Sequence, residues 1–197
     1  MPEPPAVSRR SAPCPGNRSG RRTLLLLAAV MLAPIIASYA AYYAFPRAAK
    51  VNYGILLPTA PVPETAGTRP DGTPFRLEDL RGRWVLLASG HGDCDAGCER
   101  KLYATRQARA MQGREQDRIV RALLVVGAAP SAGLLSRHPG LVVVRVPDRV
   151  PAGFPGGANP LYLIDPLGNF VLRYPDDPDI KGMAKDLTRL LMASRIG

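Results

Sequence analysis

A chain of 197 residues with 46% hydrophobic and 21% charged residues is neither a disordered nor a collagen-like polymer. Its net charge of +10 would suit nucleic acid, but five arginines against one glutamate in residues 1–22 supply +4 of it. The remaining charge is scattered with no basic block, the pattern of a solvated surface, so nucleic acid is not an expected partner.

Residues 1–22 are rich in Pro, Ser, Gly and Arg, which predicts a disordered tail with Cys14 as a free thiol. Residues 23–45 carry no charge at all. A run of roughly 20 apolar residues is what a helix needs to cross a bilayer. The apolar region of a cleavable signal peptide is only about 7–15 residues long, so the expectation is an uncleaved transmembrane helix. Pro34 is placed to kink it, and Tyr39, Tyr42, Tyr43 and Phe45 gather at its far end, where aromatic rings favour the interface. The arginines before the span outnumber Arg47 and Lys50 after it, which keeps the N-terminus in the cytoplasm. In a Gram-negative cell this gives a single-pass inner-membrane protein whose C-terminal part faces the periplasm.

Residues 46–74 read as a Pro-rich tether that ends in the turn signal Pro70-Asp71-Gly72. From residue 75 to 197 the pattern is that of one domain with one core. Residues 75–83 predict a short strand, a helical turn and a tight turn at Gly82, and 84–89 an apolar central strand. Residues 99–118 predict a helix buried along Leu102, Tyr103, Ala110 and Met111. Strands follow at 119–127 and 141–146, then a hairpin around residues 165–169 and an amphipathic helix over 180–196. This order specifies an α/β sandwich with a mixed sheet.

The chemistry centres on residues 84–100, WVLLASGHGDCDAGCER, where a strand hands over to a helix through a loop holding Cys94 and Cys98. The first helical turn leaves N–H groups unsatisfied, and its dipole favours a thiolate at Cys94. A thiolate is both nucleophile and soft-metal ligand, and the spacing of four brings Cys98 within reach. The pair can close a disulfide, exchange it with a partner, or hold one ion. A bridge over so small a loop constrains the unfolded chain little, which argues against a purely structural purpose. His91 lies three residues before Cys94 and can bring an imidazole to the same ion, whereas His138, before Pro139, reads as a turn residue. Asp93, Asp95 and Glu99 flank the thiols, oppose their ionisation and would attract a cation. Pro160, just before the strand LYLID, is placed to face the loop as a cis proline.

The segment DGTPFRLEDLRGRWVLLASG, the loop CDAGC followed by Glu99, and LYLIDPLGNFVLRYP together resemble the thioredoxin superfamily over roughly residues 68–195. The CxxxC spacing is similar to its Sco/SenC branch. That resemblance implies a thioredoxin-like fold behind a membrane anchor, Cu(I) held by Cys94 and Cys98, and a part in building the copper centre of cytochrome c oxidase. The family histidine falls near Gly157, where this chain has none; either His91 substitutes as the third ligand or the two thiolates hold Cu(I) alone. The implied partner is a cytochrome c oxidase subunit or another periplasmic thiol protein. Two alternatives stand beside this reading: a general thiol–disulfide oxidoreductase without metal, with Cys94 and Cys98 as its catalytic pair, and a non-catalytic interaction domain of a membrane complex.

Overall fold

The computed structural model describes residues 18–44, 52–91, 94–128, 131–147, 152–156 and 160–194. The chain divides into two units, Met1–Ala49 and Lys50–Gly197. In the first, the charge-free run forms one helix, α1 (Arg18–Ala44), with Pro34 inside it. Its stretch Gly20–Tyr43, 24 residues with mean hydropathy 2.3, is long and apolar enough to cross a membrane. A helix satisfies its own backbone groups, which is what a spanning segment requires.

The second unit is built on a mixed eight-stranded sheet: β1 (Ile55–Leu56), β2 (Ala66–Thr68), β3 (Pro74–Arg76), β4 (Trp84–His91), β5 (Ile119–Val126), β6 (Leu141–Val146), β7 (Leu161–Ile164) and β8 (Phe170–Tyr174), in the order β1-β8-β7-β4-β5-β6-β2-β3. β4, β5 and β6 run parallel and the other pairings are antiparallel. The apolar runs of β4 and β5 fit this position because a strand covered on both faces needs no polar side. They pair without a slip from Trp84↔Ile119 to His91↔Val126, so the loop after His91 leaves from the edge of the sheet where both strands end.

Three helices, α2 (Ala96–Ala110), α3 (Ala132–Arg137) and α4 (Ile180–Ala193), cover one face. Their Leu102, Ala108, Leu134, Met183 and Leu187 form one core with Leu86, Leu123 and Leu163 from the sheet. The opposite face carries a second core around Phe75, Leu80, Leu124, Tyr162 and Phe170, with half-buried Val62 and Phe154 against it. Each fully buried side chain of this size stabilises the fold by roughly 1.5–3 kcal/mol relative to exposure.

Two expectations are corrected. The helix expected over 99–118 starts earlier, at Ala96, and stops at Ala110; Gly113 takes φ +57 and residues Gly113–Arg118 wind as a 3-10 helix. Its buried face is Cys98, Lys101, Leu102, Ala104, Thr105 and Ala108, at helical three- and four-residue spacings, which turns Tyr103, Ala110 and Met111 outward. Part of the stretch 46–74, read as a tether, also joins the sheet. It contributes β1, paired to β8, and β2, which pairs with β3 and bridges β6 through Thr68↔Arg145.

Just before β1 the chain is fastened to α4. The buried Asp186 carboxylate accepts the backbone N–H groups of Tyr53 (3.0 Å) and Gly54 (2.9 Å). The Tyr53 hydroxyl accepts the N–H of Asp179 at 2.7 Å, and its ring stacks on Tyr174. Gly182 makes room for that ring, since a Cβ there would lie 2.5–2.8 Å from its carbons.

Candidate functional site

β4 ends in buried Ser89 and Gly90 and exposed His91. Residues 92 and 93, and with them Asp93, lie outside the described residues. Cys94 follows with φ +37, a left-handed conformation that costs a non-glycine residue of order 1–3 kcal/mol and recurs at functional sites. Its N–H donates to the carbonyl of His91, the last residue of β4, at 3.0 Å. Asp95 then caps α2, its carboxylate accepting the N–H of Cys98 at 2.8 Å. Asp is a preferred N-cap because its short side chain reaches these orphan donors.

Cys94 and Cys98 are joined as a disulfide with Cα atoms 5.2 Å apart. The first cysteine lies outside the helix and the second in its first turn. Both belong to the helix-side core, with Cys94 7% and Cys98 5% exposed, so Cys94 is buried rather than open to solvent. The physical reason is the bond itself, which turns Cys94 inward toward Cys98. Cys98 Sγ packs against Gly90, where an added Cβ would lie 3.4 Å away.

The flanking charges are not left bare. Glu99 receives Arg137 Nη2 at 2.6 Å and His138 Nε2 at 2.8 Å. Burial pushes its carboxyl up, but the hydrogen bonds and charges of His138 and Arg137 prevail and hold it below the usual carboxylate range. His138, read from the sequence as a turn residue, caps the C-terminus of α3 and is 6% exposed. One turn beyond Cys98, the Lys101 side chain is 4% exposed and bonds Asp176 Oδ1 at 2.8 Å. Sequence reasoning missed both. A lysine three residues after a buried cysteine was the available signal for Lys101, whereas nothing local announced the His138–Glu99 pair.

Of the predicted ligands, the fold brings Cys94 and Cys98 together and puts His91 at the mouth of the same loop, exposed. Among the described residues, no three His, Cys, Asp or Glu side chains gather in a group able to hold a metal. Residue 157 and the peptide bond before Pro160 lie outside the described residues. Pro160 itself is buried beside β7. Chemically, the site is a dithiol–disulfide couple at a strand–helix junction, with the Asp95 carboxylate capping the helix beside it.

Solved structures similar to this chain are thioredoxin-like, and Sco proteins recur among them. Copper-bound ScoI of Arabidopsis thaliana aligns with TM-score 0.57 and 16% identity over 68% of this chain and 100% of its own. Apo Sco1 of Thermus thermophilus gives TM-score 0.57 and 22% identity over 73% of this chain and 99% of its own. The thioredoxin domain of a Bacteroides vulgatus thiol-disulfide oxidoreductase gives TM-score 0.51 and 14% identity over 68% of this chain and 99% of its own. No curated protein matches the chain. The family model described as Transmembrane-like, thioredoxin-like, C-terminal domain matches residues 84–194, more than half of the sequence, and the chain belongs to that family.

Proposed function

We propose that this protein is a membrane-anchored thiol–disulfide exchange factor whose thioredoxin-like domain faces the periplasm of a bacterial cell and acts on cysteines of the copper site of cytochrome c oxidase. The observation that carries this reading is the Cys94–Cys98 disulfide at the head of α2, with Cys94 on the loop and Cys98 inside the helix. In the reduced protein the Cys94 thiolate attacks one sulfur of a partner disulfide, and the partner's other sulfur leaves as a thiolate. Cys98, as thiolate, then attacks Cys94 Sγ, closes the bond between them and expels the partner's second thiolate. Two electrons pass from this chain to the partner.

A second reading, supported by the donor set, has Cu(I) as cargo. Two thiolates at one helix end are soft ligands suited to Cu(I), and His91, next to them on the loop, would add an imidazole. In this reading Cys94, Cys98 and His91 bind the ion and deliver it.

The test uses the full chain in detergent with Cys14→Ser as background. Cys98→Ser, mixed with a disulfide-bonded peptide, should accumulate a mixed disulfide at Cys94, and no adduct above that of Cys94→Ser would overturn the exchange reading. An anaerobic Cu(I) competition titration runs beside it. Stoichiometric binding that needs both cysteines and weakens in His91→Ala supports copper handling. Binding equal to that of Cys94→Ser/Cys98→Ser removes copper from the proposal.

A further inference from the structure

Along the outward side of α2 lies an open groove of about 590 Å³ between the end of α3 and the start of α4. The turning of Tyr103 away from the core makes it: the ring stands 55% exposed in the groove, with Pro178 and Ile180 on the α4 side. Three arginines rim it, at positions 100, 106 and 137. Among the described residues lining the groove, two carboxylates answer them. Glu99 is already held by Arg137 and His138, and Asp177 stands 3.7 Å from Arg100 with its side chain 87% exposed. Among the described residues, Arg106 donates only to a backbone carbonyl, that of Arg137, at 3.4 Å.

The interior behind this rim repeats the imbalance. Arg121 on β5 is 3% exposed, and its Nη2 donates to the Pro139 carbonyl at 2.6 Å while Nη1 has no hydrogen-bond partner. Burial, with the charges of Arg109 and Arg106 adding to it, pushes this guanidinium down to about 10. His138, which lines the groove, also keeps a buried Nδ1 without a partner. An excess of cations around an apolar floor calls for an anion with an apolar body. Enclosed sites that bury most of a ligand's surface suit small molecules. An open groove of Tyr and Arg has instead the composition of interface hot spots.

We propose that the groove over α2 docks an acidic segment of a partner polypeptide, with an aliphatic or aromatic side chain against Tyr103 and Ile180 and a carboxylate at Arg106. The inference goes beyond thiol exchange and does not require it, though Glu99 directly follows Cys98 and a partner seated here would lie along the helix that carries the dithiol.

The full chain in detergent micelles, against an empty-micelle blank, is titrated into a fluorescein-labelled peptide of alternating Glu and Leu, and into its Gln-for-Glu counterpart. Anisotropy should report saturable binding of the acidic peptide only, weakened about tenfold by Arg106→Glu, less by Arg106→Gln, and reduced by salt. Tyr103→Ala should weaken it as well, with circular dichroism verifying that each variant is folded. Cys94→Ser/Cys98→Ser should bind as the wild type does, so failure of the exchange chemistry and failure of docking are told apart. Equal binding of the Gln peptide, or unchanged affinity in Arg106→Glu, overturns the proposal. Binding of phenylacetate with no peptide binding overturns it too, in favour of a small organic acid.

Discussion

Glu99, the residue after the second cysteine, accepts a hydrogen bond from His138, 39 positions away, at 2.8 Å. The pair ties α2 to the end of α3. Hydrogen bonds to a charged group contribute about 1.5–3 kcal/mol each when desolvated. Glu99 is partly exposed, so Glu99→Gln should lower stability toward the small end of that range, read as a shift of the urea midpoint at constant m-value. An unchanged midpoint would mean the pair does no more than fill space.

Asp176 gives a pH dependence. The hydrogen bond from Lys101, followed by its charge, holds the Asp176 carboxyl below the usual carboxylate range. A carboxyl depressed by folding stabilises the native state fully above its unfolded value of about 3.9, and loses that contribution as pH falls through the lower folded value. The gap in stability between wild type and Asp176→Asn should therefore be widest near neutrality and close in acid. Because the aspartate is largely exposed, solvent screening keeps the gap modest. Lys101→Met, of similar volume, should be close to neutral, since it removes the buried charge as well as its partner's bond. A gap that stays constant through the acid range would refute the assignment.

Gly182 sets two effects against each other. In an open helix, alanine is favoured over glycine by about 1 kcal/mol. Here its Cβ would run into the Tyr53 ring, and overpacking of that kind costs typically 1–3 kcal/mol. The clash should win, so Gly182→Ala is expected to destabilise. The loss should shrink when Tyr53→Ala is already present, a coupling that a double-mutant cycle measures. A stabilised Gly182→Ala would show that the ring moves aside at no cost.

Opening the disulfide should leave the fold standing. The chain-entropy account gives about 2 kcal/mol for so short a loop. Relaxation of the left-handed Cys94 backbone offsets part of it, of order 1 kcal/mol. Thermal unfolding with and without reductant should thus differ by a few degrees, with unchanged far-ultraviolet circular dichroism at 25 °C. Loss of that signal on reduction would make the bridge a structural staple.

What was legible in the sequence was whatever an apolar run or a turn signal could carry alone. β4, β5 and β6 are continuous runs, the β7–β8 hairpin is announced by Asp165-Pro166-Leu167-Gly168, and α4 repeats at helical spacing. The strands β1 and β2 are two and three residues long and exist because β8, β3 and β6 offer them hydrogen bonds, which no local pattern encodes. The end of α2 was misread because residues 111–118 contain a single breaker, Gly113, among good helix formers. At the site, the cysteine pair was visible from spacing. The burial of Cys94 follows from its closed bond to Cys98, and the His138–Glu99 bond joins positions far apart in the chain; neither was legible.

Asp95 has a bearing on the direction of electron flow. As the cap of α2 it brings a full negative charge to the helix end that would otherwise favour a Cys94 thiolate. The most oxidising couples in this fold are those whose reduced, thiolate form is strongly stabilised. A couple whose thiolate is denied that support leans the other way, holding its disulfide and giving up electrons readily once reduced. In the exchange reading proposed above, Cys94 and Cys98 would act as a donor, each turnover leaving a closed bond that a stronger reductant must reopen.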